Sequence, residues 1–454
     1  MMQDWTLSEL EQPLEGRLIG RDNQVKGVST DSRKLNLGDL FVALRGDYFD
    51  GHKYLEQARA AGAAGAVVSS EVDAPLSVLR VTDTQQALGR LGALNRNAFS
   101  GPLVAITGSS GKTTVKNMID AVLSQRGATL ATRGNFNNEI GVPLTLLELA
   151  PEHQFAVIEM GAARIGDIAW LSELGRPSVA MLLNALPAHL ESFGSVEQIA
   201  EAKGEILDGL GVDDIAIINA DQPWANQWRA RVKQARVIDF GLARAADVSA
   251  TAIRSYGIDG ISFTALTPVG DTPVRIQLPG LHNVANALAA VAAGLACELT
   301  LAEIRRGLEL VLPVAGRLSV ARNASGATII DDCYNANPAS VRAALDLLAE
   351  CPGKRTLILG AMKELGSGSD HLHHEIGSYA KDIGVDQLIG VGNELRSAVD
   401  AFGAGGSFFA DRDQAIEAVR WMFTGEDTVL VKGSRSAGME VVLNALLVDP
   451  VGED

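Results

Sequence analysis

The run Leu103-Val104-Ala105-Ile106-Thr107-Gly108-Ser109-Ser110-Gly111-Lys112-Thr113-Thr114 carries the residue types that hold a nucleoside triphosphate. An apolar strand feeds a glycine turn whose successive N–H groups can form an anion nest, and a helix then opens on Lys-Thr. In that arrangement Lys112 reaches the β and γ phosphates and Thr113 offers its hydroxyl to Mg²⁺. Gly108, Ser109, Ser110, Gly111 and Thr114 complete the ATP loop. Val115, Met118, Ile119, Val122 and Leu123 recur at helical spacing and predict the helix, which ends near Gly127. The loop departs from the general G-x-x-x-x-G-K-[ST] form, because Ile106 stands five residues before Gly111. The chain has no Asn-Lys-x-Asp guanine reader, which argues against a GTPase.

Two further groups can join that loop at one edge of a sheet. Glu159 follows the apolar run Phe155 to Ile158, and His189 lies in the loop after Val179 to Leu183. One carboxylate, one imidazole and the Thr113 hydroxyl suit Mg²⁺, which takes few protein ligands beside water and phosphate. A helix then opens at Ser195, with Gln198 three residues on in a capping-box pattern. Ile199, Ile206 and Leu210 form its apolar stripe, and Lys203 falls on that stripe. A cation there is costly unless it is paired, snorkelled to solvent, neutral or chemically modified. The residues alone leave those four choices open.

The elements that must position these groups alternate short apolar strands with helical patterns, the mark of a parallel sheet with crossover helices. Leu103 to Ile106, Phe155 to Ile158, Val179 to Leu183 and Ile215 to Ile218 lead into the glycine loop, Glu159, Asn184 and Asn219, so polar groups gather at carboxyl ends of strands. Alternation resumes past Pro313, with Thr328 to Ile330, Thr356 to Leu359, Gln387 to Val391 and Thr428 to Val431. Gly390-Val391-Gly392 lacks the third glycine of a dinucleotide fingerprint and reads as a strand-end turn. The reading is an α/β chain of three domains. A smaller N-terminal α/β domain covers 1–83, a central P-loop parallel-sheet ATPase domain 84–312, and a Rossmann-like C-terminal α/β domain 313–454.

Composition agrees with that size. At about 150 residues per domain, 454 residues suggest roughly three. Hydrophobic residues make up 47% and charged ones 21%, which excludes a disordered or collagen-like chain. The net charge of −16 argues against a sequence-independent grip on nucleic acid. Met1 to Trp5 lacks the basic start of a signal peptide, and Val284 to Ala296, interrupted by Asn286, is shorter than a membrane span and reads as a buried helix. Cys297, Cys333 and Cys351 have no metal-site spacing and are expected as reduced core thiols, which makes the cytoplasm the default compartment.

Taken together, the motifs resemble those of the Mur ligases of peptidoglycan synthesis, which share the short Gly-x-x-Gly-Lys-Thr-Thr loop. The resemblance covers essentially the whole chain. It rests on Ser29-Thr30-Asp31-Ser32-Arg33, Phe49-Asp50-Gly51-His52, the Gly134 to Pro143 run, Gly280 to Asn286, Gly316-Arg317, Asp331 to Pro338 and Lys432-Gly433-Ser434-Arg435. Tyr334-Asn335-Ala336-Asn337-Pro338 and Lys432 to Arg435 favour the type that adds D-alanyl-D-alanine to UDP-N-acetylmuramoyl-tripeptide. The Asp-Asn-Pro-Arg sequence of the sibling adding diaminopimelate or lysine is absent.

That resemblance implies an ATP-driven, ADP-forming peptide ligase acting on a nucleotide-linked peptide; a monomer is expected, and the charge and hydropathy noted above predict no nucleic acid and no membrane span. It implies that Lys203 carries a carbamate supporting a Mg²⁺ held by Glu159 and His189. Asn283 and Asn286 resemble the adenine side, Arg317 a phosphate contact, and Asp332 with Asp331 the ribose contact. Tyr334, Asn335, Asn337, Lys432 and Arg435 resemble the residues lining the dipeptide site. Ser29, Asp31, Ser32, Arg33, Asp50, Gly51 and His52, with Asn135, Asn137 and Asn138, resemble the uridine-diphosphate sugar side. Folylpolyglutamate synthetase shares the short loop and the ligase chemistry but is not known for a separate uridine-nucleotide domain. A nucleotide-switched binding ATPase is the rival of another class.

Overall fold

The structure is a computed structural model that describes residues 1–46, 48–73, 76–188 and 190–448. Its sheets divide among three α/β units. The N-terminal sheet runs in the spatial order Arg17–Ile19, Val78–Arg80, Gly65–Val68, Asp39–Val42, Gly27–Ser29, with Arg17–Ile19 antiparallel and the others parallel. Helix Thr84–Asn97 follows, its N-terminus capped by the Asp83 carboxylate. One face puts Leu88 and Leu91 into the N-terminal core. The other reaches the central unit, where the buried Asn95 amide donates to the Leu146 and Leu149 carbonyls at 2.8 and 3.0 Å.

Six parallel strands make the central sheet, in the order Thr129–Ala131, Phe155–Glu159, Leu103–Thr107, Val179–Leu182, Ile215–Asn219, Arg236–Phe240. The strand that feeds the glycine loop is central, and the order of strands reverses beside it, which is where open α/β sheets leave a crevice. It is buried on both faces, so its alternate residues serve two cores. Val104 and Ile106 pack with helices Lys112–Leu123 and Leu281–Ala296, whereas Leu103 and Ala105 pack with Ile199, Ala202 and Ile206. The Leu281–Ala296 helix is a core element, as its alanine-rich sequence predicts. Among the described residues no helix is long and apolar enough to cross a membrane.

An antiparallel meander, Ser249–Ser255, Ile261–Thr267 and Gly270–Ile276, is an element that the sequence reading lacks. Ile261, Phe263, Ala265, Val274 and Ile276 face the core. Its first strand is broken by a register shift at Thr251 to Arg254, where Ala252 takes a φ of 51°, and this hides the period of two. The C-terminal sheet runs Ser319–Arg322, Thr328–Asp332, Asp427–Lys432, Lys354–Gly360, Gln387–Val391, Gly406–Phe409, parallel except for its first strand. Gly392 ends one of these strands and leads into a short 3-10 turn, as expected. All three cysteines are free and buried.

Candidate active site

A cavity of ≈ 690 Å³ lies over the carboxyl ends of the central strands, partly open to solvent, with residues of the C-terminal unit such as Asp332, Tyr334 and Lys432 on its opposite wall. At its floor, Gly111 turns the chain into helix Lys112–Leu123 with a φ of +83°, and a Cβ built there would meet the Asn286 Oδ1 at 2.8 Å. Only glycine suits both the backbone and the approach. Asn184 braces the loop. Its Oδ1 accepts the Ser110 N–H at 2.9 Å, its Nδ2 donates to the Ser110 carbonyl at 3.0 Å, and its carbonyl accepts the Ser109 N–H at 3.1 Å. The Ser109 hydroxyl is itself committed to Leu186, donating to its carbonyl at 3.2 Å.

Lys112 donates to the Gly108 carbonyl at 2.7 Å, and burial pulls its ammonium below the ordinary lysine range. Thr113 Oγ1 donates to one oxygen of Glu159 at 2.9 Å, and Asn137 Nδ2 donates to the other at 2.7 Å. Arg317 reaches over from the C-terminal unit, donating to Thr113 Oγ1 at 3.0 Å while its guanidinium stacks on the Tyr334 ring at 4.1 Å. The Thr113 hydroxyl and the buried Glu159 carboxylate thus form a small all-oxygen pair, a donor set that fits Mg²⁺ with phosphate and water as further ligands. The third expected ligand, His189, lies outside the described residues.

Lys203 lines the same cavity with 2% of its surface exposed. Burial, and then the charge of Lys112, push its ammonium down to about 7. It has no hydrogen bond or ion pair among the described residues, so snorkelling and pairing are both excluded there. The Ser195 hydroxyl caps its helix by accepting the Gln198 N–H at 3.3 Å.

Gly111, Ser109, Ser110, Thr114, Asn135, Asn137, Asn138, Asn283, Asn286, Asp332, Tyr334, Asn335, Asn337 and Lys432 all line the cavity. Asn286 donates to Asn283, which in turn donates to the Pro279 carbonyl at 2.7 Å. Buried Lys432 pairs with Asp332 and donates to the Asn335 carbonyl at 2.9 Å. Burial pushes the Asp332 carboxyl up against that pairing. Asn337 caps helix Pro338–Glu350 in a reciprocal box with Ser340.

Other expected residues lie off the cavity wall. Asp331 accepts the Gly316 N–H at 2.7 Å and the Ser319 hydroxyl at 3.2 Å, so it shapes the turn that presents Arg317. Arg435 is mostly exposed and pairs with Glu440 at 3.3 Å. Ser29, Asp31, Ser32, Arg33, Asp50, Gly51 and His52 lie on the N-terminal unit with local partners, some outside the set: Ser32 donates to Gln57 at 3.0 Å and the Gly51 N–H to the Leu44 carbonyl at 2.8 Å. Asp31 holds Arg33 through two bonds of 2.9 Å, and the His52 imidazole sits between Asp50 at 2.7 Å and the Ser69 N–H at 2.9 Å.

Sequence reasoning missed an apolar wall of Phe240, Leu278, Val311 and Leu312, as well as Asn117, Asp167 and His282 on the cavity. His282 was visible only as part of a motif. It lies in the first turn of helix Leu281–Ala296, which packs in the central core.

Three family models match the chain: the Mur ligase family catalytic domain at residues 24–96, the Mur ligase middle domain at 106–294, and the Mur ligase glutamate ligase domain at 316–435. A UDP-N-acetylmuramoyl-tripeptide--D-alanyl-D-alanine ligase of Escherichia coli K12 is 46% identical over 445 residues, covering 97% of this chain and 98% of its own. A crystal structure of MurF from Acinetobacter baumannii superposes with a TM-score of 0.93 at 36% identity, over 98% of this chain and 99% of that one. The MurF ligase of Thermotoga maritima, solved in complex with ADP, gives 0.84 at 28% identity, over 93% and 97%. With the glycine loop, Glu159 and Arg317 meeting across one cleft and relatives alike along their whole length, this chain belongs to the Mur ligase family.

Proposed function

We propose that the protein is an ATP-dependent, ADP-forming ligase that joins the amine of D-alanyl-D-alanine to the terminal carboxylate of UDP-N-acetylmuramoyl-tripeptide, a step in making peptidoglycan precursors. The observation that carries this reading is one cavity in which the glycine loop, the Thr113–Glu159 pair and Arg317 converge. Relatives that span the full chain bear that activity in their names.

A carboxylate resists attack by an amine at neutral pH, so it must be activated. The γ-phosphorus gains a bond to the donor carboxylate oxygen and loses its bond to the β-bridging oxygen, leaving ADP and an acyl phosphate. The acceptor nitrogen then bonds to the acyl carbon, inorganic phosphate departs, and the amine sheds a proton. Little of this needs covalent work from the protein; positioning and charge neutralisation suffice. Lys112 and Arg317 supply positive charge on two sides of the phosphates, and the loop N–H groups cradle them. Thr113 and Glu159, with His189 as the expected third ligand, would hold Mg²⁺, which would supply further charge neutralisation. The C-terminal unit brings Tyr334, Asn335, Asn337 and Lys432 to the acceptor side and shields the acyl phosphate from water.

We read Lys203 as the site of a carbamate. An amine whose pKa falls to about 7 is substantially neutral at physiological pH, and only the neutral amine attacks CO₂. The neutral amine's Nζ bonds to the CO₂ carbon as one C=O π bond opens onto oxygen, one proton leaves the nitrogen, and a neutral buried amine becomes an anion beside Lys112. Lys203→Ala should be nearly inactive and partly rescued by a small carboxylic acid; an inactive variant that no acid rescues would remove the carbamate.

The units divide at 83 and 312 in this reading, the monomer suffices for the site, and the nucleotide substrates place the reaction in the cytoplasm. The test is phosphate release with Mg-ATP and the UDP-linked muramoyl tripeptide, with and without D-alanyl-D-alanine. Release that needs both, with a product heavier by the dipeptide, is expected. Release indifferent to either substrate would return the protein to the folate-ligase or switch readings.

A further inference from the structure

Lys116 lies one helical turn beyond Lys112, is 7% exposed, and sits behind the cavity rather than on its wall. Its Nζ donates to the Thr132 carbonyl at 2.7 Å, and among the described residues no carboxylate is within ion-pair distance of it. A methionine would fill the same space without the cost of burying a cation. What the lysine adds to packing is one donor and one charge.

The donor is directed at Thr132, and the charge faces Glu159 first and Asp120, on its own helix, second. Thr132 is buried, its N–H donates to the Val157 carbonyl at 3.0 Å, and its Oγ1 accepts the N–H of Glu159 at 3.0 Å. The side chain from the loop helix and the main chain of Glu159 therefore meet on one residue. The Glu159 carboxylate is held by two neutral donors, Thr113 and Asn137, and its opposing charges are Lys112 and Lys116. Lys112 is on the cavity wall, its Nζ on the Gly108 carbonyl, whereas Lys116 is tied behind that wall to Thr132. Thr132 also leads directly into the Arg133 to Asn138 turn, whose Asn135, Asn137 and Asn138 line the cavity.

We propose that Lys116 is a positioning residue. It clamps the nucleotide-loop helix to Thr132, so that Glu159 and the 135–138 turn keep their place, and a resident counter-charge, when Lys112 engages the phosphates. Its part in turnover rests on the ligase reading; the coupling between loop helix and turn does not.

The experiment compares the full-length parent with Lys116→Met and Thr132→Val, using ADP as the probe. In Lys116→Met, amide exchange over residues 133–139 should quicken about tenfold and lose its slowing by ADP, while helix Lys112–Leu123 exchanges as before. ADP affinity should stay within about threefold and kcat with the tripeptide donor should fall at least tenfold. Thr132→Val, which keeps the carbonyl for Lys116 and removes the acceptor for Glu159, should show the same kcat loss without freeing the turn from ADP. Unchanged exchange over 133–139, or a loss of ADP affinity and melting temperature in proportion to activity, would overturn the proposal. A parent that shows the ADP-dependent exchange but no donor-dependent turnover would sink the ligase reading and leave the coupling standing.

Discussion

Lys112 is placed so that its charge can reach a transferring phosphoryl group, because it lines the cavity, is partly buried, and among the described residues its ammonium bonds to the Gly108 carbonyl. Replacing it with alanine removes that charge without disturbing the apolar stripe of its helix. Turnover of Lys112→Ala should drop by roughly 10³-fold with an unchanged melting temperature; near-normal turnover would take it out of the site. His282 offers a test in pH. Burial, followed by the charge of Lys432 and against the weaker pull of Asp346, pushes its imidazolium down to about 4 from 6.5. The unfolded chain then binds a proton in that window that the folded chain refuses, so the contribution is fully present above about pH 6.5 and is lost as pH falls toward 4. The parent should lose more melting temperature between pH 7 and 4.5 than His282→Gln does, and equal losses would show that the imidazole is not held neutral. At this scale the sequence was most legible where residues act next to their chain neighbours, as in the 108–114 loop. It was least legible for Asp331 and Arg435, whose types suit ligand binding but whose partners are Gly316, Ser319 and Glu440.

Strands and helices position these groups by ending where the chemistry begins. The Leu103–Thr107 strand is apolar throughout because both its faces are covered, and its end delivers the loop at the sheet's switch point. Gly111 is the joint between that strand and its helix. A methyl group there would force a left-handed backbone on alanine, at roughly 1–2 kcal/mol, and press on Asn286. Gly111→Ala should therefore bind ADP at least tenfold more weakly by calorimetry, and the shortfall should shrink when Asn286→Ala is added to relieve the contact. If ADP affinity is unaffected, the loop does not need that conformation. Long apolar runs and capped helices were readable because each is set by neighbours in sequence. The Ser249 to Ile276 meander was missed although Ile261–Thr267 and Gly270–Ile276 alternate buried and more exposed residues; only its first strand, bulged at Ala252 and mostly exposed, hides that period.

For the whole molecule, the decisive feature is that one cavity is assembled from residues 200 positions apart, with Arg317 bonded to Thr113 across it. The N-terminal residues Asp31, Arg33, Asp50 and His52 stand away from that cavity, so a donor held by both must bridge the units. Small-angle scattering should show a smaller radius of gyration when ATP analogue and donor are both bound than with neither, and an identical curve would argue against closure by the C-terminal unit. By itself the sequence determined the α/β class, the phosphate loop and the local caps, because strand, turn and helix signals act over a few residues. It also marked Lys203 as anomalous, since helical spacing alone puts a cation on an apolar stripe. Only the tertiary structure decided that this lysine is unpaired among the described residues and pushed by burial to about 7, that Asn137 and Thr113 share the Glu159 carboxylate, and that Lys116 ties its helix to Thr132. Those outcomes depend on burial and on approaches between distant segments, and no spacing along the chain encodes the distance between two strands until the sheet has formed.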